Sequence, residues 1–447
     1  MTGLLYAAGV ILIILGIAVS IALHEIGHLV PAKLFGVKVS QYMVGFGPTI
    51  FSRKRGDTEY GLKALPLGGY IAMAGMYPPA RDGSVRRSTT GMFQTVMDDA
   101  RKLSNEDVAP GEERRTFYSL SVPKKLVVML GGPVMNLLIA VVLLGVVFSG
   151  FGTLQPTTTV SSVSECVVSA DEAQKRSAES RNKCLAADPK APAALAGIRP
   201  GDVIVSVADT GVASWKELQD AIRAQAGKTV PVVIERGGET ETLRVAIIAS
   251  QQAVVDDEGR AVVDDSGAVK TVEAGFLGVS PTNERVQLPL TQLPGEIWGT
   301  FTTIVDAIIH LPTRLVDVGK AAFSSEERDP EGPVGLIGVG RVAGEIASTD
   351  KLDIVDKSQI GINLLATLNM FLFAFNLVPL LPLDGGHVAG ALWEGLRRWV
   401  AKIFRRRDPG PVDTARLLPL TYVVVGVMLV MTVLLAYADI VKPITLF

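Results

Sequence analysis

Four stretches of this chain run for more than twenty residues without a charged side chain: residues 1–23, 126–152, 358–383 and 417–437. About twenty apolar residues carry a helix across the hydrocarbon core of a bilayer. One such run also suits a buried helix of a soluble protein, but four require a membrane. With 447 residues, 48% of them hydrophobic, the chain has room for further domains and is excluded from the disordered class. A net charge of -2 gives no basic surface for nucleic acid, and two cysteines exclude a disulfide scaffold or a Cys-rich zinc module.

The first run reads as a retained span. A signal peptide needs a basic start and a small-residue cleavage site, yet no Lys or Arg precedes Lys33, and His24-Glu25 follows the apolar run. The loop at residues 31–125 holds 15 basic residues, and the short loop at 384–416 holds 7. Short basic loops stay in the cytoplasm, so the termini and the long middle region are expected outside. That middle region carries 20 basic residues over 150–359, but long segments are translocated regardless of charge.

The expected fold class is a polytopic α-helical membrane protein with four transmembrane helices, a membrane-associated β-hairpin and an extracytoplasmic α+β domain. Residues 1–36 hold the first helix. Residues 37–76 hold two strand-like runs around a charged turn at 53–57. Residues 77–123 form a cytoplasmic loop whose polar insertion at 81–115 is expected to be partly disordered. The second helix covers 124–152. A β-rich module follows at 155–250, with an insertion at 164–190. In it Val203, Val205 and Val207 alternate as a strand, 215–226 reads as an amphipathic helix, and strands at 230–235 and 241–248 flank Gly237-Gly238. Cys166 and Cys184 flank the insertion on the oxidising side, where a bridge between them can persist. Residues 251–357 read as a linker, with an acidic solvated loop at 256–272. The linker also holds an amphipathic helix, carrying Ile297, Phe301, Ile304 and Ile308, that lies on the outer leaflet or in the soluble domain's core. The third helix spans 358–387, a basic segment with Trp393 and Trp399 spans 388–416 as a helix against an anionic inner leaflet or as a soluble cytoplasmic one, the fourth helix spans 417–437, and 438–447 form a tail.

His24-Glu25-Ile26-Gly27-His28 carries the chemistry. Residues i and i+4 of a helix share a face, so two imidazoles can hold one zinc ion beside Glu25 as general base. Ionisable residues within or at the end of a membrane helix are expensive and point to function. A catalytic zinc site takes a third protein ligand and leaves one position open. Asp384 is the first charge after the third apolar run, beyond Pro379 and Pro382, which break the helix at the same membrane face. His387, three residues further on, competes for the same role on spacing alone. His310 reads as a solvated side chain. Two rivals remain in view. A receptor displaying the β-rich module has no need of Glu25. A metal transporter would spread polar residues along a span, whereas these gather at one face.

With His-Glu-Ile-Gly-His, Gly132-Pro-Val-Met-Asn136 and the Asn376–Gly386 segment quoted, the chain resembles the site-2 protease family of intramembrane zinc metalloproteases, most nearly the bacterial RseP type. The Ala196-Gly-Ile-Arg-Pro-Gly-Asp-Val-Ile204 segment resembles bacterial PDZ domains, which implies a groove that takes a peptide by strand addition. The family resemblance implies one Zn2+ held by His24, His28 and Asp384, with Glu25 as base and Asn376 and Asn136 holding the substrate backbone or the oxyanion. It implies the 37–76 hairpin as the surface that pairs with the substrate. It further implies a membrane-embedded protein substrate such as an anti-sigma factor or a signal-peptide remnant, a place in the bacterial cytoplasmic membrane, and an active site near the cytoplasmic face. One PDZ-like module stands where some members carry two.

Overall fold

The computed structural model describes residues 2–79, 104, 108, 111–168, 184–185, 188–254, 270–324, 328–329 and 332–444. Most of the 81–115 insertion, the centre of the Cys166–Cys184 loop and residues 255–269 lie outside the described residues. The chain forms two units, Met1–Phe151 with Leu288–Phe447, and Gly152–Gln287.

In the first unit, four helices are long and apolar enough to cross a membrane: Thr2–Leu34, Val122–Phe151, Ile354–Asn376 and Thr414–Val441. The first, α1 (Thr2–Leu34), continues past the apolar run and through Pro31, and the histidine motif lies inside it, close to the bounds 1–36 expected from the sequence. Next comes the sheet of β1 (Val39–Arg55) and β2 (Thr58–Met73). Its register is more involved than a simple hairpin. Tyr42 faces Ile71 and also Tyr60, so residues 41–44 are flanked on both sides by bulged halves of β2. The half at 69–72 pairs only with 41–44, which leaves its other edge without a strand among the described residues. The Tyr42 hydroxyl donates to the Ala22 carbonyl at 2.8 Å and ties the sheet to α1.

The end of the 77–123 loop is structured. Phe117 and Leu120 are buried with Leu29, Ala32, Val39, Met73, Val128 and Met129, which joins α1, the sheet and α2 (Val122–Gly145) into one core. The second span ends in a π turn, Val146–Phe151.

Residues 289–323 resolve into two helices. In the first, α5 (Leu293–Ile309), Ile297, Phe301, Ile304 and Ile308 pack against Ala140 and Leu144 of α2 and Met370 of the third span. They belong to the membrane unit and not to the soluble core. The second is α6 (Leu311–Phe323). His310 sits exposed between them, 3.1 Å from Asp306. A further helix, α7 (Leu336–Ser348), corrects the reading of this stretch as linker. It abuts α1 where a Cβ on Gly9 would lie 2.7 Å from the Ala347 Cβ. The third span, α8 (Ile354–Asn376), stops where residues 377–383 break it, and α9 (Asp384–Ile403) starts at the aspartate itself. The last span is α10 (Leu418–Val441).

The second unit is β-rich. Its main sheet runs β10–β3–β4–β6–β7, with β5 (Thr210–Gly211) on β4. The strands are β3 (Thr153–Val163), β4 (Val203–Val207), β6 (Thr229–Arg236), β7 (Glu239–Ala246) and β10 (Val279–Val286). A ribbon of β8 (Ile248–Ala253) and β9 (Thr271–Phe276) stands beside it. The unit therefore runs to residue 287 and not to 250, because β10 returns to pair with β3. Thr271 and Val272, assigned from sequence to the solvated loop, open β9. Ile204 and Val207 face the core rather than an unbroken row of alternate valines, since a register shift between Ile204 and Ser206 rotates the strand. Two short helices complete the unit, α3 (Pro192–Ala196) and α4 (Trp215–Arg223). At the start of α4 Ser214 accepts from the Glu217 amide and caps the helix. Cys166 and Cys184 are joined by a disulfide.

Asp202 is buried in this unit and accepts from Arg236 Nη2 at 2.7 Å and the Arg199 amide at 2.7 Å. The Arg236 guanidinium holds its carboxyl below the usual carboxylate range. A carboxyl depressed in the folded state contributes fully above its unfolded value, about 3.9, and that contribution is lost as pH falls through the folded value. Asp202→Asn is expected to cost about 1–2 kcal/mol at neutral pH, at the low end because Arg236 is partly exposed. Thermal unfolding of the full chain at neutral and acid pH checks it: the variant's deficit shrinks in acid.

Candidate metal centre

Helix α1 brings His24 and His28 to one face, and the break after α8 delivers Asp384 to the same place. His24 Nε2 and His28 Nε2 stand 3.2 Å apart, and Asp384 Oδ2 lies 3.4 and 3.3 Å from them. Donors about 2.0–2.1 Å from a tetrahedral zinc ion stand about 3.3 Å from one another, so the three separations match the edges of such a site. His28 Nδ1 donates to the Val128 carbonyl of α2 at 2.8 Å. In the neutral ring this puts the proton on Nδ1 and leaves Nε2 as a lone pair. A lone pair facing a second imidazole nitrogen and a carboxylate oxygen is unfavourable without a cation between them. The donor set therefore fits a metal ion on charge as well as on distance.

Glycines make the room. A Cβ on Gly132 would overlap His28 Nε2 and come within 2.7 Å of His24 Cε1 and Nε2. Gly27 and Gly131 meet backbone to backbone, which brings α1 and α2 into close contact. A Cβ on Gly69 would lie 2.9 Å from the Glu25 Cγ. Gly69, where the 69–72 half of β2 begins, thus passes beside Glu25, which is buried at 8% exposure.

Asp384, and not His387, completes the cluster among the described residues. His387 lies about one turn further along α9, in the lining of a small, partly open pocket of about 20 Å³ with Lys125 and Glu394. Asn136 is buried one turn beyond Gly132, and its Oδ1 has no hydrogen-bond partner among the described residues. Asn376 is the last residue of α8, half-buried and outside the three-residue cluster.

Sequence reasoning missed Asn369. It is fully buried and donates to Ser20 Oγ at 3.0 Å, one turn before His24 on α1. Asparagine is an ordinary interhelical hydrogen-bonding residue in membranes, so its type alone gave no signal.

Residues 12–406 match peptidase family M50. The chain belongs to this family. Zinc metalloprotease Rip1 of Mycobacterium tuberculosis is 35% identical over 458 residues, covering 99% of this chain and 100% of that protein. Zinc metalloprotease Rip1 of Mycolicibacterium smegmatis is 33% identical over 462 residues, covering 99% and 100%. Zinc metalloprotease RasP of Shouchella clausii is 27% identical over 436 residues, covering 85% of this chain and 88% of that protein. In this M50 chain the family match takes in the histidine motif, Gly132, the whole second unit and Asp384, and ends before the last span.

Proposed function

We propose that the protein is a zinc-dependent intramembrane endopeptidase that cleaves transmembrane segments of other membrane proteins. The observation that carries this reading is the convergence of His24 Nε2, His28 Nε2 and Asp384 Oδ2, with the His28 Nδ1 proton already committed to Val128. When bound, zinc polarises a scissile carbonyl and lowers the pKa of water toward about 7.

The remaining chemistry falls to the chain. Glu25 takes a proton from the attacking water as the C–O bond forms, then gives it to the amide nitrogen as the C–N bond breaks. The free edge of residues 69–72 supports an extended substrate held by strand addition, since a helix hides the peptide bond in its own hydrogen bonds. Gly69 keeps that edge close to the base. Asn136, with its unpartnered Oδ1, and Asn376 supply polar groups for the substrate backbone or the oxyanion.

The basic loops support an active site near the cytoplasmic face of the bacterial cytoplasmic membrane, with the β-rich unit outside. That unit acts as a PDZ-type domain that binds a peptide or limits the size of what reaches the membrane. Single-span proteins already trimmed outside, such as anti-sigma factors or signal-peptide remnants, fit these constraints. Purified protein in detergent is expected to cleave a single-span test substrate within its apolar segment. A chelator stops the reaction and added zinc restores it; cleavage indifferent to chelation would overturn the assignment.

A further inference from the structure

His24 and His28 share one helix, so their spacing is set by α1 alone. Asp384 arrives on another helix, and its distance from the imidazoles depends on how α9 docks. At its start α9 packs into the chain that precedes it: a Cβ on Gly386 would lie 2.6 Å from the Leu381 amide nitrogen. That contact fixes α9 to the end of α8 but not to α2, the helix that orients His28.

Besides the apolar contact of Val388 with the core of Val128 and Met129, α9 is joined to α2 by a buried ion pair. Lys125 Nζ donates to Glu394 Oε1 at 3.0 Å and Oε2 at 2.8 Å, and the two side chains are 5% and 2% exposed. The same carboxylate accepts from the Val412 amide at 3.1 Å and lies 3.0 Å from Arg398 Nη2. Lys125 stands in the first turn of α2, one turn before Val128 and two before Gly132. Glu394 lies ten residues after Asp384, about 15 Å along a single helix. Between them, His387, Gly390 and Ala391 line a small open pocket with Lys125 and Glu394, while Val388 packs on the core that Val128 and Met129 share.

We propose that Lys125 and Glu394 are positioning residues for the metal centre. Their bidentate contact sets the height and rotation of α9 on α2, and so delivers Asp384 to the two histidines. A buried pair adds little net stability over apolar side chains of similar size, but its direction selects one docking. Arg398 shares α9 with Glu394 and moves with it, whereas Lys125 belongs to α2, so their bidentate contact is lost on a slide or twist that an apolar contact would tolerate. This inference rests on the reading of His24, His28 and Asp384 as zinc ligands.

The test uses the full-length protein in detergent, with three readouts: the thermal midpoint of the metal-free protein, zinc affinity by chelator competition, and the visible spectrum with cobalt substituted. Lys125→Met alone leaves a buried carboxylate short of a partner and endangers folding, so the informative variant is Lys125→Met with Glu394→Gln. We expect this double variant to keep the wild-type midpoint, bind zinc about 10- to 100-fold more weakly, and give an altered cobalt spectrum. Lys125→Arg, which keeps a cation on Glu394, restores most of the affinity. Wild-type affinity and spectrum in the double variant would overturn the proposal. So would a fall in midpoint that accounts for the lost affinity, without rescue by Lys125→Arg. If wild-type protein itself binds no zinc, the ligand reading fails, and the positioning role falls with it.

Discussion

Glu25→Gln is expected to lower the rate of peptide cleavage by a factor of about 10²–10⁴ while leaving zinc in place. Glutamine has the shape of glutamate and fits the buried site beside Gly69. It cannot accept a proton from water, so the attacking and leaving steps both lose their carrier. His24, His28 and Asp384 are untouched, so the metal content is unchanged. The measurement is cleavage of a single-span substrate by purified wild type and variant at matched zinc occupancy. Equal rates would remove Glu25 from the chemistry.

Gly132→Ala carries the second large effect. The added Cβ would overlap His28 Nε2 and press within 2.7 Å of the His24 ring. Neither ring has an easy retreat. The Val128 carbonyl holds His28, and backbone contact at Gly27 and Gly131 keeps the rings close to α2. Outer contacts of metal ligands are worth about 10- to 100-fold in affinity, and a clash with two ligands at once is expected to reach at least the upper value. Gly361→Ala and Gly426→Ala serve as controls, since a Cβ at either position meets nothing within 4 Å. Competition titration reads all three. Tight zinc binding by Gly132→Ala would show that the rings adapt and that the glycine is not needed for the site.

The parts of the molecule legible in the sequence are those written in local patterns. Uncharged runs give membrane helices, because length and absence of charge are the requirement itself. The His24–His28 spacing gives a shared helix face, and the proline-interrupted stretch before Asp384 marks a break at membrane depth. What stayed hidden depends on distant partners. Helix α7 has only 13 residues and carries Arg341 and Glu345, so neither length nor hydropathy marks it. Small residues let it approach α1. The β-rich unit extends past residue 250 because β10 pairs with β3, more than a hundred residues earlier in the chain. The doubled register of residues 41–44 comes from bulges, which leave no periodic trace. Lys125 and Glu394 each look like a basic or acidic residue of a cytoplasmic loop until folding buries them together.

The central claim is that two histidines of α1 and one aspartate beyond the broken third span hold a single catalytic zinc. Zinc content per chain, measured by elemental analysis on purified wild type, Asp384→Ala and His387→Ala, tests it most directly. The account predicts one zinc per chain in wild type and His387→Ala, and none retained by Asp384→Ala. Full zinc in Asp384→Ala, or its loss from His387→Ala alone, would contradict it.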